Sequence, residues 1–560
     1  MDLTVIPVRE SANRTELSVD KYDVIVVGAG STGGALAARL SEDPSRSVLL
    51  LEGGPSYASL EDMPVELLSP SSIAAAAPGH PNNWAYPAEL RPGMRYPYPR
   101  GKGMGGSSSI NGCYFIRGTQ ANFDSWAKEG NNAWAFDRVL PSFKRIEADA
   151  DFTSDAHGQE GPIPVMREGR DRAPEFTTAF HSACQALGFD EESDKNDPHA
   201  RGGVGPVPLN IAGGRRMSTA LAYLLPATGR ANLTILGNAR ARQIVTKGRR
   251  AVGVTAVVDK TLRTFNADEV IVSAGALRSP HLLMVSGIGP ADELRKHGID
   301  VVGDLPGVGQ NLTDHPMVNA GWESDIPFAK VPDRGVMTSV LHWADEGSEL
   351  EILPFVTRNG DMLSASDVLE RPRQALSALK GTSIKAVTRQ ARSLKHAMLG
   401  IVVLEEDSRG QVSLASGDPD DMPVLQWNLL SSESDRTRFR AAVRMAHEIF
   451  QTPELRQIGA SINGLETKHL KDDRALDRWV AERISAGHPS CTCRMGPAED
   501  LTTVVDQNLR VHGIDGLRVA DTSVFPSIPT RGPNATAIML GEHLAQMMTG
   551  KLPQPERVDP

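Results

Sequence analysis

The chain is poor in cysteine, aromatic residues and positive charge, and it has no long apolar run. Four cysteines in 560 residues cannot frame a disulfide scaffold and suit a reducing compartment. Basic side chains number 59 against 69 acidic, a formal net charge of −10. No basic excess exists to displace counterions from a nucleic-acid backbone, so nucleic acid is not an expected partner. The longest apolar stretches, such as SSIAAAAP at 71–78, are short and bounded by Ser or Pro, which excludes a transmembrane segment. Residues 1–20 mix charges with short apolar patches and lack the core of a signal peptide. They are expected to form a mobile or loosely docked arm, and the location is expected to be cytoplasmic. With 40% hydrophobic and 23% charged residues the chain is too apolar for disorder. It is also longer than the roughly 250–300 residues that one core supports, so two domains or one elaborated body are expected.

Gly (52) and Pro (38) are spread along the chain, where they punctuate loops, and no internal repeat is visible. The first clear element is YDVIVV at 22–27, an apolar, β-branched run that predicts a buried parallel strand. It runs into Gly28-Ala-Gly30-Ser-Thr-Gly33, then into ALAARL with helical spacing, and a second apolar run at 47–51 ends in Glu52. Strand, glycine turn, helix and strand make a βαβ unit. Further strands are expected at 251–259, 269–273 and 517–520. Residues 159–202 are polar with a helical pattern. Residues 319–483 hold LEILPFV, LGIVVLE and GQVSLA as strands and an amphipathic helix at 433–450. The dinucleotide-type elements are interrupted twice, which predicts a discontinuous cofactor domain with a substrate domain threaded through it.

The glycine fingerprint has clear mechanics. Gly28 makes the tight turn, Gly30 admits a pyrophosphate to the backbone, and Gly33 permits close helix–strand packing. Glu52, 24 residues after Gly28, can accept hydrogen bonds from ribose hydroxyls and disfavours a 2′-phosphate. Residues 100–112 hold five glycines and three serines. Such a run cannot make a stable helix or strand, but it can close over a phosphate or ring with N–H and hydroxyl donors. Ile110, Tyr114, Phe115 and Ile116 mark the segment as packed, unlike a bare linker.

This segment, RGKGMGGSSSINGCYFIRGTQANFD at 100–124, resembles the first signature of the glucose-methanol-choline (GMC) oxidoreductase family of FAD enzymes. GALRSPHLLMVSGIG at 275–289 resembles the second, and GVGQNLTDHP at 307–316 is similar to a third conserved run of that family. HPSCTCRMG at 488–496 resembles the catalytic-histidine segment, and VADTSVFP at 519–526 through Asn534-Ala-Thr resembles the closing flavin segment. The matches run in family order over nearly the whole chain. The resemblance implies an α/β fold: a Rossmann-like FAD-binding domain of GMC type (20–158, 203–318 and 484–560) with a discontinuous α+β substrate domain on an antiparallel sheet (159–202 and 319–483). It implies that FAD is held by Gly28, Gly30, Ser31, Thr32, Gly33 and Glu52, and by Gly101, Met104, Gly105, Gly106, Ser107, Asn111 and Gly112. Ala241, Ala274, Gly275, Asp521, Thr522, Asn534, Ala535 and Thr536 complete that set. His488 is the implied general base, suited to it because imidazole titrates near working pH. Asn534 is the implied second catalytic group, although by position alone it reads as a helix N-cap. His281 and His315 read as structural or near the cofactor.

Three departures from the family pattern are informative. Ile110 stands where some members carry the histidine that bonds FAD covalently, so the FAD is expected to be non-covalent. Cys491 stands where glycine is usual. Cys491-x-Cys493, lacking clustered partners, makes a poor metal site, so no metal is expected and both thiols read as buried and inert. Ala486 and Gly487 are small where many relatives are bulky, which implies a roomier pocket. A basic stretch at 371–396, from Arg371 and Arg373 to Lys395 and His396, reads as a solvated helical face.

The resemblance therefore implies oxidation of a CH–OH group of a small alcohol to an aldehyde or ketone. Hydride would pass to flavin N5, His488 would act as base, and oxygen or another acceptor would complete the cycle. Three alternatives are a carrier-reoxidising flavoprotein of the mycofactocin-associated type, a non-redox lyase on the same fold and a light-driven decarboxylase of the family.

Overall fold

The computed structural model describes residues 21–169, 172–328, 333–362 and 395–552. The N-terminal arm and the basic stretch before Lys395 lie outside the described residues. The strands expected near the N-terminus form as β1 (Lys21–Val27) and β2 (Val48–Leu51), joined through α1 (Ser31–Leu40). Both strands are apolar on both faces, as fits a parallel sheet covered on each side. β3 (Leu233–Leu236) extends the sheet beyond β2, and β4 (Ala239–Lys247), β5 (Arg250–Val258) and β6 (Thr261–Val272) close its other side. The order is β3-β2-β1-β6-β5-β4, with the strand Leu517–Val519 also paired to β6. β3, β2, β1, β6 and Leu517–Val519 run parallel, whereas β5 pairs antiparallel with both β6 and β4.

The second sheet is antiparallel. It contains β7 (Met317–Glu323), β8 (Ser339–Asp345), β9 (Ser348–Arg358) and β10 (Ala397–Val403) in the order β7-β10-β9-β8. Gly203–Pro206 adds to β8, and Ile484–Ser485 adds antiparallel to β7. Helices α2 (Glu175–Ala186) and α3 (Glu433–Gln451) pack on one face of this sheet. The α3 sequence buries Phe439, Ala442, Val443, Ala446, Ile449 and Phe450, a 3–4 spacing that makes one apolar stripe.

The final helix, α4 (Asn534–Met548), is buried along nearly its whole length beside the parallel sheet. It lies on α1, where a side chain at Gly541 would sit 2.5 Å from the Thr32 carbonyl. Thr32 Oγ1 donates to the Ala537 carbonyl at 2.7 Å. Glu542, fully buried on α4, accepts from Arg39 Nε at 2.7 Å and Arg145 Nε at 3.0 Å. No helix among the described residues is long and apolar enough to cross a membrane.

Candidate active site

The carboxyl ends of the parallel strands converge, which is where a doubly wound sheet places its ligand. Gly28 follows β1, Glu52 follows β2, Ser273 follows β6 and Asp521 follows Leu517–Val519. Gly28 has φ +109°, and a side chain there would collide with the Ser273 carbonyl. Gly30 has open space beside its Cα, while a Cβ on Gly106 would lie 2.8 Å from Gly30 Cα. The Gly-Ser segment therefore closes down on the first turn by backbone contact, and Gly105 N donates to the Ala29 carbonyl at 2.8 Å. Gly101 and Ser107 hold that segment through a 3.2 Å bond from Gly101 N to Ser107 Oγ, and Met104 is buried beneath it. Asn111 Oδ1 accepts from Cys113 N at 3.0 Å, and Gly112 faces the Met337 side chain.

Glu52 is buried at the foot of this cradle. Its carboxylate accepts from Ala29 N at 3.0 Å, Gly54 N at 2.8 Å and Gly103 N at 3.0 Å, while burial pushes its pKa upward against those bonds. Ala241 lies on β4 at a bulge in its pairing with β5, two residues beyond Ala239, whose N–H bonds the Glu52 carbonyl at 2.8 Å. Across the cradle, Asp521 accepts from Gly275 N at 2.8 Å and Ser279 Oγ at 2.5 Å, and Ala274 N donates to Ser279 Oγ at 3.0 Å. Thr522 Oγ1 donates to the Pro489 carbonyl at 2.8 Å, which links the strand end to the histidine segment.

Asn534 departs from the N-cap expectation. Pro533 holds the cap position and Asn534 is the first residue of α4. Its Oδ1 accepts from Ser31 Oγ at 3.0 Å, so its Nδ2 is a buried donor without a protein partner. Ala535 and Thr536 follow it into the helix fully buried, and Thr536 Oγ1 accepts from Gly118 N at 3.3 Å.

His488 is positioned by a group that the sequence reading passed over. Asp314, fully buried, accepts at Oδ1 from Gly487 N at 3.0 Å, His488 N at 2.7 Å and His315 N at 2.8 Å. Its Oδ2 accepts from Tyr98 OH at 2.5 Å and Trp427 Nε1 at 2.9 Å. Arg100 Nη2 grips the Gly487 carbonyl at 2.7 Å. The one sequence signal was the NLTDHP run, in which His315 drew attention and the neighbouring aspartate did not.

His315 lies against His488. Their Nδ1 atoms are 3.0 Å apart, and His315 Nε2 is 2.9 Å from the Pro529 carbonyl. Burial pulls His315 down to about 3 and His488 also to about 3, with the neighbouring charge of His488 adding to the first and of Arg100 to the second. Both rings are therefore neutral at pH 7. A carbonyl only accepts, so His315 Nε2 carries the proton and its Nδ1 is bare. His488 must then donate through Nδ1, which leaves the lone pair of His488 Nε2 free. His281, also expected to be structural, is held neutral by burial at about 3.

Family models described as GMC oxidoreductase match residues 22–317 and 406–541. The chain belongs to the GMC oxidoreductase family. It is 38% identical over 532 residues to an uncharacterized GMC-type oxidoreductase in the thcA 5′ region of Rhodococcus erythropolis, covering 95% of this chain and 99% of that protein. It is 38% identical over 545 residues to the oxygen-dependent choline dehydrogenase of Brucella canis, covering 95% and 96%. Among solved structures, pyridoxine 4-oxidase from Mesorbium loti superposes with a TM-score of 0.81 at 28% identity, covering 94% of this chain and 99% of that one.

As a GMC oxidoreductase the chain is a flavoprotein, and FAD is its cofactor. The residues fit that group. Gly30 and Gly275 leave open space where a side chain would stand, Glu52 stands at the end of β2, and Asn534 Nδ2 awaits an acceptor.

The four cysteines are free and buried. Cys491 has φ +71°, the left-handed conformation that glycine adopts without strain, and burial pushes its thiol up to about 12. Glu147, Asp149 and His157 lie close enough together to share an ion. Each residue already has a charged partner: Arg117 pairs with Glu147, Arg167 Nη1 with Asp149 at 2.8 Å, and His157 Nε2 with Asp194 at 2.8 Å.

Proposed function

We propose that this oxidoreductase acts on CH–OH donors, converting an alcohol to an aldehyde or ketone. His488 Nε2 takes the hydroxyl proton, and Asn534 Nδ2 donates a hydrogen bond to the same oxygen as charge develops on it. The observation that carries this reading is the chain from the Pro529 carbonyl through His315 to His488, which leaves one lone pair free on a half-buried imidazole. Bound FAD supplies the two-electron acceptor, and oxygen or another acceptor completes the cycle. Gly28, Gly30, Gly105 and Gly106 would cradle its pyrophosphate, with Glu52 on the ribose, and Ala274, Gly275, Asp521 and Thr522 nearer the ring. Because an aliphatic Ile110 precedes Asn111, FAD is held non-covalently and is released on denaturation.

The test is anaerobic mixing of the yellow holoenzyme with an alcohol panel while the visible flavin band is followed. One chemical class should bleach it. His488→Ala should keep FAD and lose ~10²–10⁴-fold in the rate of bleaching. Unimpaired bleaching in that variant removes His488 from the role of base. FAD-loaded protein that no alcohol bleaches favours a lyase or carrier-linked activity.

A further inference from the structure

The two faces of the antiparallel sheet are covered by different things. Val318, Ala320, Leu399, Ile401 and Ile352 point to the side of α2 and α3 and belong to the main core. On the other face the register sets Met317 beside Val402 and Glu351, and Asn319 beside Gly400 and Leu353. This second face leads to His488. Met317 pairs with Ser485, three residues before His488, and lies two residues after His315. Gly487 has open space beside its Cα.

Around Gly400 the chemistry of this face is apolar and thioether-rich, while its charged and amide groups lie on either side. A Cβ on Gly400 would sit 2.9 Å from Met317 Sδ, so that glycine makes room for the methionine. Leu353, Phe355, Val340, Met337 and Met398 form a cluster separate from the main core, and Met317 and Met398 keep part of their surface exposed. Among the described residues, every carboxylate on this face already has a partner. Glu349 pairs with Arg531 at 3.3 Å, and Glu323 pairs with His396 at 3.4 Å at the far end. Glu351 accepts from His342 Nε2 at 2.9 Å and from Tyr114 OH at 3.2 Å. Glu351 has only uncharged partners, but it is buried beneath the face and burial raises it to about 7. Among the described residues, therefore, no unpaired exposed counter-ion meets a charged substrate, and burying such a substrate unpaired is strongly unfavourable. Phe355 and Tyr114, the aromatic rings of this cluster among the described residues, do not make the several-sided cage that a quaternary ammonium needs. Methionine side chains, by contrast, adapt to hydrocarbon of varied shape.

We propose, resting on the oxidation assigned above, that the substrate is an uncharged alcohol with a hydrocarbon body, received between Met317, Met398 and Leu353 with its carbinol end at His488. A quaternary-ammonium alcohol is rejected. The experiment uses two alcohols of the same shape that differ in charge: 3,3-dimethylbutan-1-ol and choline, the alcohol in the name of the Brucella relative. Each is mixed anaerobically with the holoenzyme, and flavin perturbation at equilibrium and bleaching are both recorded. The carbon alcohol should be favoured ~100-fold or more in binding and reduction together. Parity, or preference for choline, overturns the proposal. Tighter binding of the carbon alcohol with no bleaching by either upholds the hydrocarbon site and sinks the oxidation reading instead. Met317→Ala should weaken the carbon alcohol ~10-fold, with Met398→Ala as the second variant should the first not fold. Unchanged affinity in the folded variants overturns the assignment of this face.

Discussion

The parallel sheet offers its chemistry at its edge, where strands end and backbone N–H groups and glycines face outward. The antiparallel sheet offers its chemistry on its face, through side chains set by register. An edge site tolerates almost no added atoms, because its contacts are backbone against backbone. A face site is tuned by swapping side chains while the ladder stays intact. On the proposed function, one half of the molecule would fix the cofactor and the other would be free to vary what it meets. His488 and Asp314 sit at the seam, with His315 joined to β7 through Pro316 and His488 to the paired Ile484–Ser485 strand.

The sharpest challenge to this contrast is at the seam. His315→Leu removes the acceptor that fixes the His488 tautomer and leaves both sheets whole. Bleaching by the true substrate should slow ~10²-fold with little change in KM, as expected when a group that orients an imidazole is lost. In the native enzyme both rings are neutral above about pH 3, so kcat/KM should show no histidine limb between pH 5 and 8. His315→Leu should introduce one if the freed His488 gains solvent. A matching loss of thermal stability and a rise in KM would mark His315 as merely structural.

The next test separates the edge site from the fold. Gly30 has no atom within 4 Å of an added Cβ, and Gly33 has the Gly28 carbonyl in its way. Gly30→Ala should fold normally yet bind FAD about tenfold more weakly, read by fluorescence titration of the apoprotein. Gly33→Ala should instead lower Tm and yield poorly folded protein. Equal behaviour of the two would mean that the open space at Gly30 is not where FAD lies.

The smallest effect belongs to the ion cluster of Glu147, Asp149, His157 and Asp194. Burial opposes protonation of His157, but hydrogen bonds to Asp149, Asp194 and Glu147 outweigh it and raise the ring to about 10. A raised folded-state pKa stabilises fully below the unfolded value near 6.5 and is lost as pH rises through about 10. Tm should therefore fall by roughly 2 °C or more across pH 7–10, and His157→Gln should flatten that part of the curve. An unchanged slope in the variant would show that His157 does not carry it.

Legibility followed the same division. The β1–α1 turn, Glu52 and the Gly-Ser segment were readable because backbone approach demands glycine at fixed offsets. The strand LEILPFV was visible, but which of its residues face the site was not. It is apolar in both parities, and only pairing with β10 assigns Leu353 to one face and Ile352 to the other. Asp314 escaped notice because its partners are contributed by segments 174 residues onward and by Tyr98 far before it. Cys491 looked like an unexplained departure from glycine until its positive φ gave the reason glycine is favoured there.

The bond from Ser31 to Asn534 joins groups 503 residues apart in sequence, and Thr32 to Ala537 spans 505. During synthesis the glycine turn emerges among the first elements, yet the helix that packs on it and completes the site is translated near the last. The nascent chain cannot form a finished cofactor cradle until almost all of it has left the ribosome. On the proposed site, FAD loads only after α4 is made, and a chain truncated between α1 and α4 should carry the fingerprint yet retain no FAD on gel filtration.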